Sequence, residues 1–161
     1  MKEVLIIRSA SFQQLDKNLP AIMAKFPETR LSILTHEHGV KIAQKYADID
    51  EVFSYNFRSG FSYFKWISSL REKKFDAVVM PVTNVTGSGF VNVFLFSLRI
   101  QCRQRWICNL VSDFTEVKKR DILFKATGSA LFKLLSLLFT AGLSILTVAM
   151  LPILFYRISK K

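Results

Sequence analysis

VLIIRSASFQQLDKNLPA, residues Val4 to Ala21, reads as a buried strand that runs into a loop and then a helix. Val4, Leu5, Ile6 and Ile7 form a short unbroken apolar run rich in β-branched side chains, the pattern of a central parallel strand covered on both faces. Arg8 ends that run at the strand's carboxyl end, and in open α/β sheets ligands bind just beyond this end. The loop Ser9 to Gln14 is therefore expected to face whatever the protein handles.

Downstream, Leu15, Leu19, Ile22, Met23 and Phe26 recur at spacings of three and four, so residues 16–26 are expected to form a helix with one apolar stripe. Pro20 is placed near its first turns, where proline costs least, and Pro27 closes it. Leu31 to Leu34 is a second strand, completing a βαβ start with a right-handed crossover. A polar loop THEHG (Thr35 to Gly39) precedes a helix carrying Val40, Ile42, Ala43 and Tyr46, and then a strand at Glu51 to Tyr55. Phe61, Phe64, Trp66, Ile67 and Leu70 predict another helix over 61–72. Phe75 to Met80 is a buried strand ended by Pro81. The loop PVTNVTGSGF leads into Val91 to Leu98, and Trp106 to Leu110 is a further strand.

Few residues in this frame carry a recognisable chemical signature. His36 and His38 alternate in a loop without a carboxylate or cysteine cluster, so solvent-facing or capping roles are expected and no metal site is read. Gly87-x-Gly89 lacks the third glycine and the downstream acid of a dinucleotide fingerprint, and reads as a turn. Cys102 and Cys108 lack zinc-site spacing and read as idle thiols of a reduced compartment. No cofactor is implied.

Charge and hydropathy split the chain. Residues 1–112 hold 15 Lys and Arg against 9 Asp and Glu (net +6), and residues 113–161 hold 8 against 3 (net +5) in less than half that length. A basic excess points to an anionic partner. No Lys/Arg run interleaved with exposed aromatics suggests a nucleic-acid groove, so nucleic acid is set aside. In residues 113–133, Lys118, Lys119, Arg120, Lys125 and Lys133 alternate with apolar side chains, a basic amphipathic stretch suited to a surface of anionic membrane lipids. Residues 134–156 then run 23 positions without a charge, enough to span roughly 30 Å of hydrocarbon as a transmembrane helix. Pro152 leaves a kinked or re-entrant segment open, and a short basic tail, 157–161, comes last. The denser charge on the near flank puts the N-terminal domain in the cytoplasm, and no secretory signal precedes it. The expected fold class is α/β: one Rossmann-like parallel-sheet domain over 1–112, then the basic amphipathic helix, then one transmembrane helix.

Five segments in order carry a family likeness. VLIIR at Val4 to Arg8, Leu19-Pro20-Ala21, Phe26 to Leu31 (FPETRL), Asp48 to Val52 (DIDEV) and Phe75 to Val79 (FDAVV) resemble, in register and spacing, the N-terminal domain of glycosyltransferase family 9, the heptosyltransferases of lipopolysaccharide core synthesis. The resemblance implies a GT-B half that holds a lipid-linked sugar acceptor, with a second half binding the nucleotide-sugar donor. It implies an acceptor cleft lined by Arg8, Ser9, Ser11, Gln13, Gln14 and the loop with Thr83, Asn84 and Gly87, where Arg8 can pair with phosphate or acidic sugar groups. In the family, Gly-Asp falls where Gln13 and Gln14 stand here, and that Asp is the expected general base. An amide cannot take the proton, so no catalytic residue is assigned. With the donor-binding half replaced by the basic membrane segment, the expected protein is an acceptor-side half anchored in the inner membrane, working with a separate donor-binding subunit or catalytically inactive. The alternative is a non-enzymatic membrane-tethered scaffold on a degenerate glycosyltransferase fold.

Overall fold

Four consecutive βαβ-type crossovers organise the chain. The computed structural model describes residues 2–159, with side-chain surroundings for residues 2–151. A six-stranded sheet contains β1 (Lys2–Ile7), β2 (Thr29–His36), β3 (Glu51–Tyr55), β4 (Lys74–Pro81), β5 (Gln101–Cys108) and β6 (Phe114–Glu116) in the spatial order β3-β2-β1-β4-β5-β6. The first five strands are parallel, and β6 pairs antiparallel with β5 through Trp106 to Cys108.

Alternation along β1 shows why the sheet needs two covers. Leu5 and Ile7 point into one apolar core with Phe94 and Phe96 of α3 (Val91–Ser97), while Val4 and Ile6 point into a second with Leu15, Leu19 and Ile22 of α1 (Phe12–Lys25). Ala43, in the one-turn α2 (Val40–Ala43), joins the α1 side. Hence the β1–β2 and β2–β3 crossovers lie on one face and the β3–β4 and β4–β5 crossovers on the other. The winding reverses between β1 and β4, and the carboxyl ends of those two strands diverge there into a crevice.

The chain divides into two compact units, residues 1–123 and 124–161. The sheet belongs to the first, whose core extends through Val117 to Ile122. From Lys119 on, the basic stretch joins the apolar run in one helix, α4 (Lys119–Ser159), 41 residues long and continuous through Pro152, whereas Phe114–Glu116 of that stretch form β6. No hairpin turn interrupts the helix among the described residues. Lys119 to Leu151 is long and apolar enough to cross a membrane, and none of its most apolar window is buried. Lys118, Lys119, Arg120, Lys125 and Lys133 are all exposed. The tail at 157–161 extends beyond the described side chains.

Three expectations are corrected. Residues 61–72 form an irregular segment with a single 3-10 turn at Ser68–Leu70. Their apolar spacing is not a stripe: Phe61 is buried whereas Phe64 is 88% exposed. The backbone carbonyls a helix would use accept from elsewhere, Phe61 O from Asn92 Nδ2 at 3.2 Å and Tyr63 O from Arg99 at 2.9 Å. Second, α1 begins at Phe12, capped by Ser11, whose side chain accepts from Gln14 N at 3.2 Å. Pro20 therefore sits in mid-helix, where it removes one backbone bond. Third, the strand expected over 106–110 begins at Gln101, so Arg103 and Arg105 are strand residues.

Arg105 is the test of this packing. Only 5% exposed, it donates from Nε and Nη2 to Ser97 O at 3.2 and 3.1 Å and from Nη2 to Ile100 O at 2.8 Å, tying the end of α3 to β5. Arg105→Met leaves those carbonyls without this partner and is expected to destabilise the first unit by roughly 2–4 kcal/mol. Trp66 and Trp106 both lie in that unit, so their fluorescence during denaturation of the full chain in detergent reads the loss directly.

Candidate functional site

The crevice at the winding reversal is closed at its base by one hydrogen bond. Ser9 Oγ, just past β1, donates to Pro81 O, the last residue of β4, at 2.5 Å. Beside it, Arg8 turns back: its Nε donates to Thr35 Oγ1 at 2.6 Å, its Nη1 donates to Ala10 O at 3.1 Å, and its guanidinium lies 4.5 Å from the centre of the Phe12 ring. Burial works against the Arg8 charge and lowers its pKa. That cost is offset by those two acceptors and by cation–π contact.

The resulting cleft has a volume of about 410 Å³. Arg8 and Ser9 enter from β1, His36 and His38 from the end of β2, Arg58 and Phe61 from the segment after β3, and Gly89 and Asn92 from the start of α3. Arg8, His38 and Arg58 come from beyond a strand's carboxyl end and His36 from the last position of β2, and no Asp or Glu is among the described residues that line the cleft. The cleft is a concave surface lined by Arg8, Arg58 and two histidines.

Of the two histidines, expected to face solvent or cap, His38 is exposed and His36 half-buried, and they stack on each other at this rim, ring centres 5.7 Å apart and 23° from parallel. His36 also packs against Tyr55 and Phe61, with Nε2 3.4 Å from Ser59 O. Burial depresses its pKa, the Ser59 carbonyl pulls the other way, and the positive fields of Arg8 and His38 add to the depression. Among the described residues, no group of three or more His, Cys, Asp or Glu could hold a metal ion. Alternation in a polar loop was the only sequence signal for the histidines. Arg58 and Asn92 had none.

The remaining residues expected at the acceptor cleft stand elsewhere. Ser11 is occupied in capping α1 and Gln13 is exposed. Gln14 is buried, its Nε2 donating to Asn18 Oδ1 at 2.7 Å and to Leu110 O at 3.2 Å, which fastens α1 to the chain beyond β5. Thr83 is exposed. Asn84 closes its own loop, Oδ1 accepting from Gly87 N at 2.6 Å and Nδ2 donating to Ser88 O at 2.7 Å. Gly87 adopts φ +73°, and a Cβ there would lie 2.7 Å from the Phe94 ring, so this glycine serves close packing of the turn. Asp16, the nearest carboxylate on α1, accepts from the Tyr46 hydroxyl. Cys108 is buried and its thiol is pushed up to about 11, chiefly by burial and then by Asp113; burial raises Cys102 as well.

No family model matches the sequence, and no curated protein is significantly similar to it. Among solved structures, the chain is similar to the Escherichia coli heptosyltransferase WaaC with ADP, at 20% identity and a TM-score of 0.46, over 62% of this chain and 34% of that one. The same enzyme with ADP-2-deoxy-2-fluoro heptose aligns at 18% identity and a TM-score of 0.45, over 64% and 35%. The chain thus spans about a third of the length of these structures. They are heptosyltransferases, the group whose N-terminal domain the sequence motifs resemble.

The depressed His36 pKa has a definite sign. Between its folded value and the unfolded value of about 6.5, the unfolded chain binds more protons, so stability falls as pH drops through about 6.5 toward the folded value. Titration of the His36 imidazole by NMR is expected to give a midpoint below 6.5 that rises in Arg8→Met. An anion held in the cleft favours the imidazolium, so added inorganic phosphate is expected to raise the same midpoint.

Proposed function

We propose that this chain is a membrane-anchored, acceptor-side glycosyltransferase module that binds the anionic head of a lipid-linked sugar and requires a donor-binding partner subunit for transfer. The observation that carries the reading is the cleft itself: Arg8, Arg58, His36 and His38 converge where the sheet's winding reverses, and no carboxylate lines the cleft among the described residues. Guanidinium groups suit phosphate and acidic sugar groups because their planar donors match the geometry of the oxyanions. The family-like motifs along β1, α1, β2, β3 and β4 support the sugar-transfer context, and α4 supports attachment to a membrane.

The same cleft speaks against stand-alone catalysis by an acid–base route. A general base must come within hydrogen-bond reach of the acceptor hydroxyl. Gln14 occupies the position of the family's Asp and is committed to Asn18 and Leu110, and Asp16 is engaged by Tyr46. These engagements favour a second reading, a tethered scaffold whose cleft binds without reaction. Both readings put the α/β unit at the cytoplasmic face of the inner membrane and its basic flank against anionic lipid.

Pull-down of the full chain from detergent-solubilised membranes distinguishes them. A donor-binding subunit that co-purifies, with sugar transfer only when both chains are present, is the result expected for the split enzyme. Capture of no such subunit, with acceptor binding retained, leaves the scaffold. Arg8→Ala and Arg58→Ala are each expected to weaken binding of a phosphorylated lipid-linked sugar by roughly tenfold. Unchanged binding in both variants would remove the cleft from the function.

A further inference from the structure

The segment after β3 that replaces the expected helix is an ordered loop with an apolar tip. Tyr55 Oη donates to Gly60 O at 3.2 Å, Asn92 Nδ2 to Phe61 O at 3.2 Å, Lys65 Nζ to Ser59 Oγ at 2.7 Å, and Arg99 Nη1 to Tyr63 O at 2.9 Å. Phe61 is buried beneath it, and the Arg99 guanidinium lies 4.9 Å from the Trp66 ring centre and 5.5 Å from that of Tyr63. On this framework Phe64 stands 88% exposed with Tyr63 edge-on beside it, ring centres 5.7 Å apart. One exposed hydrophobe is ordinary on a protein surface. Here it crowns a loop whose backbone carbonyls at Gly60, Phe61 and Tyr63 are held by Tyr55, Asn92 and Arg99.

The charge around the tip is of one sign. From Val52 to Arg71 the sequence contains Arg58, Lys65 and Arg71 and no Asp or Glu, and Arg99 joins them from beyond α3. Aromatic side chains flanked by Lys and Arg are the composition of protein surfaces that sit at a bilayer interface, the rings entering the acyl boundary while the cations meet anionic headgroups. Arg58, Gly60 and Phe61 of this loop also line the anion cleft.

We propose that residues 57–67 dock on an anionic lipid bilayer, with Phe64 entering the interface and Arg58, Lys65 and Arg99 facing headgroup phosphates. The first unit then makes a peripheral membrane contact of its own, through the loop that also supplies Arg58 and Phe61 to the cleft. The inference shares with the proposed function the premise that α4 enters a membrane, and the experiment separates the two.

Full-length chain carrying Phe64→Cys, in a Cys102→Ser background with Cys108 left enclosed, is labelled with an environment-sensitive fluorophore and reconstituted in nanodiscs of phosphatidylcholine with or without phosphatidylglycerol. Expected are a blue-shifted emission and quenching by nitroxide-bearing lipid in discs containing phosphatidylglycerol, both weaker in phosphatidylcholine alone. Hydrogen exchange on the unlabelled chain is expected to slow at residues 57–67 in the same order, which keeps the result independent of the label. A label that stays in water in both discs, or protection that appears only when a second protein is added, overturns the bilayer contact. Equal quenching in both discs overturns its preference for anionic lipid. A chain that fails to enter the discs at all overturns the membrane premise of both readings.

Discussion

The reversal of winding between β1 and β4 is the constraint on which the rest of the structure depends. A parallel sheet must be covered on both faces because its side chains alternate and are apolar on each. With right-handed crossovers, a chain can cover both faces only by changing direction across the sheet once. That change leaves the ends of β1 and β4 without a connection between them, and Ser9 closes the gap onto Pro81. The crevice is a by-product of covering the sheet, and its lining is supplied by the residues just past the strands' carboxyl ends.

Those residues are basic. Arg8, His36 and Arg58 come at or after the ends of three neighbouring strands, so their convergence is a matter of strand order and not of sequence proximity. Burial is the main cause of the depressed His36 pKa, and the positive fields of Arg8 and His38 add to it. The described residues of the lining include no carboxylate.

The strands were legible because burial on both faces forces unbroken apolar runs, and VLII and FDAVVM have no competing reading. Arg8 and Ser9 were legible as end-of-strand residues for the same reason. The segment at 61–72 misled because aromatic spacing of three is shared by a helix and by a loop whose carbonyls are taken by Asn92 and Arg99, partners about thirty residues away that no local window contains. Arg58 and Asn92 were missed likewise, since only the crossover geometry brings them to the cleft. Gln14 shows the converse: its position relative to Arg8 suggested a site residue, while one turn of helix directs it to Asn18 and Leu110.

The placement of Ile122 sets an order of events during synthesis. The core of the α/β unit is not complete until Val117 and Ile122 have packed, and they immediately precede the apolar part of α4. When Ile122 clears the ribosome, the apolar segment behind it is still inside the exit tunnel. A domain generally folds as a unit once its last core residue is available. Closure of the sheet domain therefore falls in the interval in which the long apolar part of α4 is still leaving the tunnel, so the last core residues pack while that helix is not yet free.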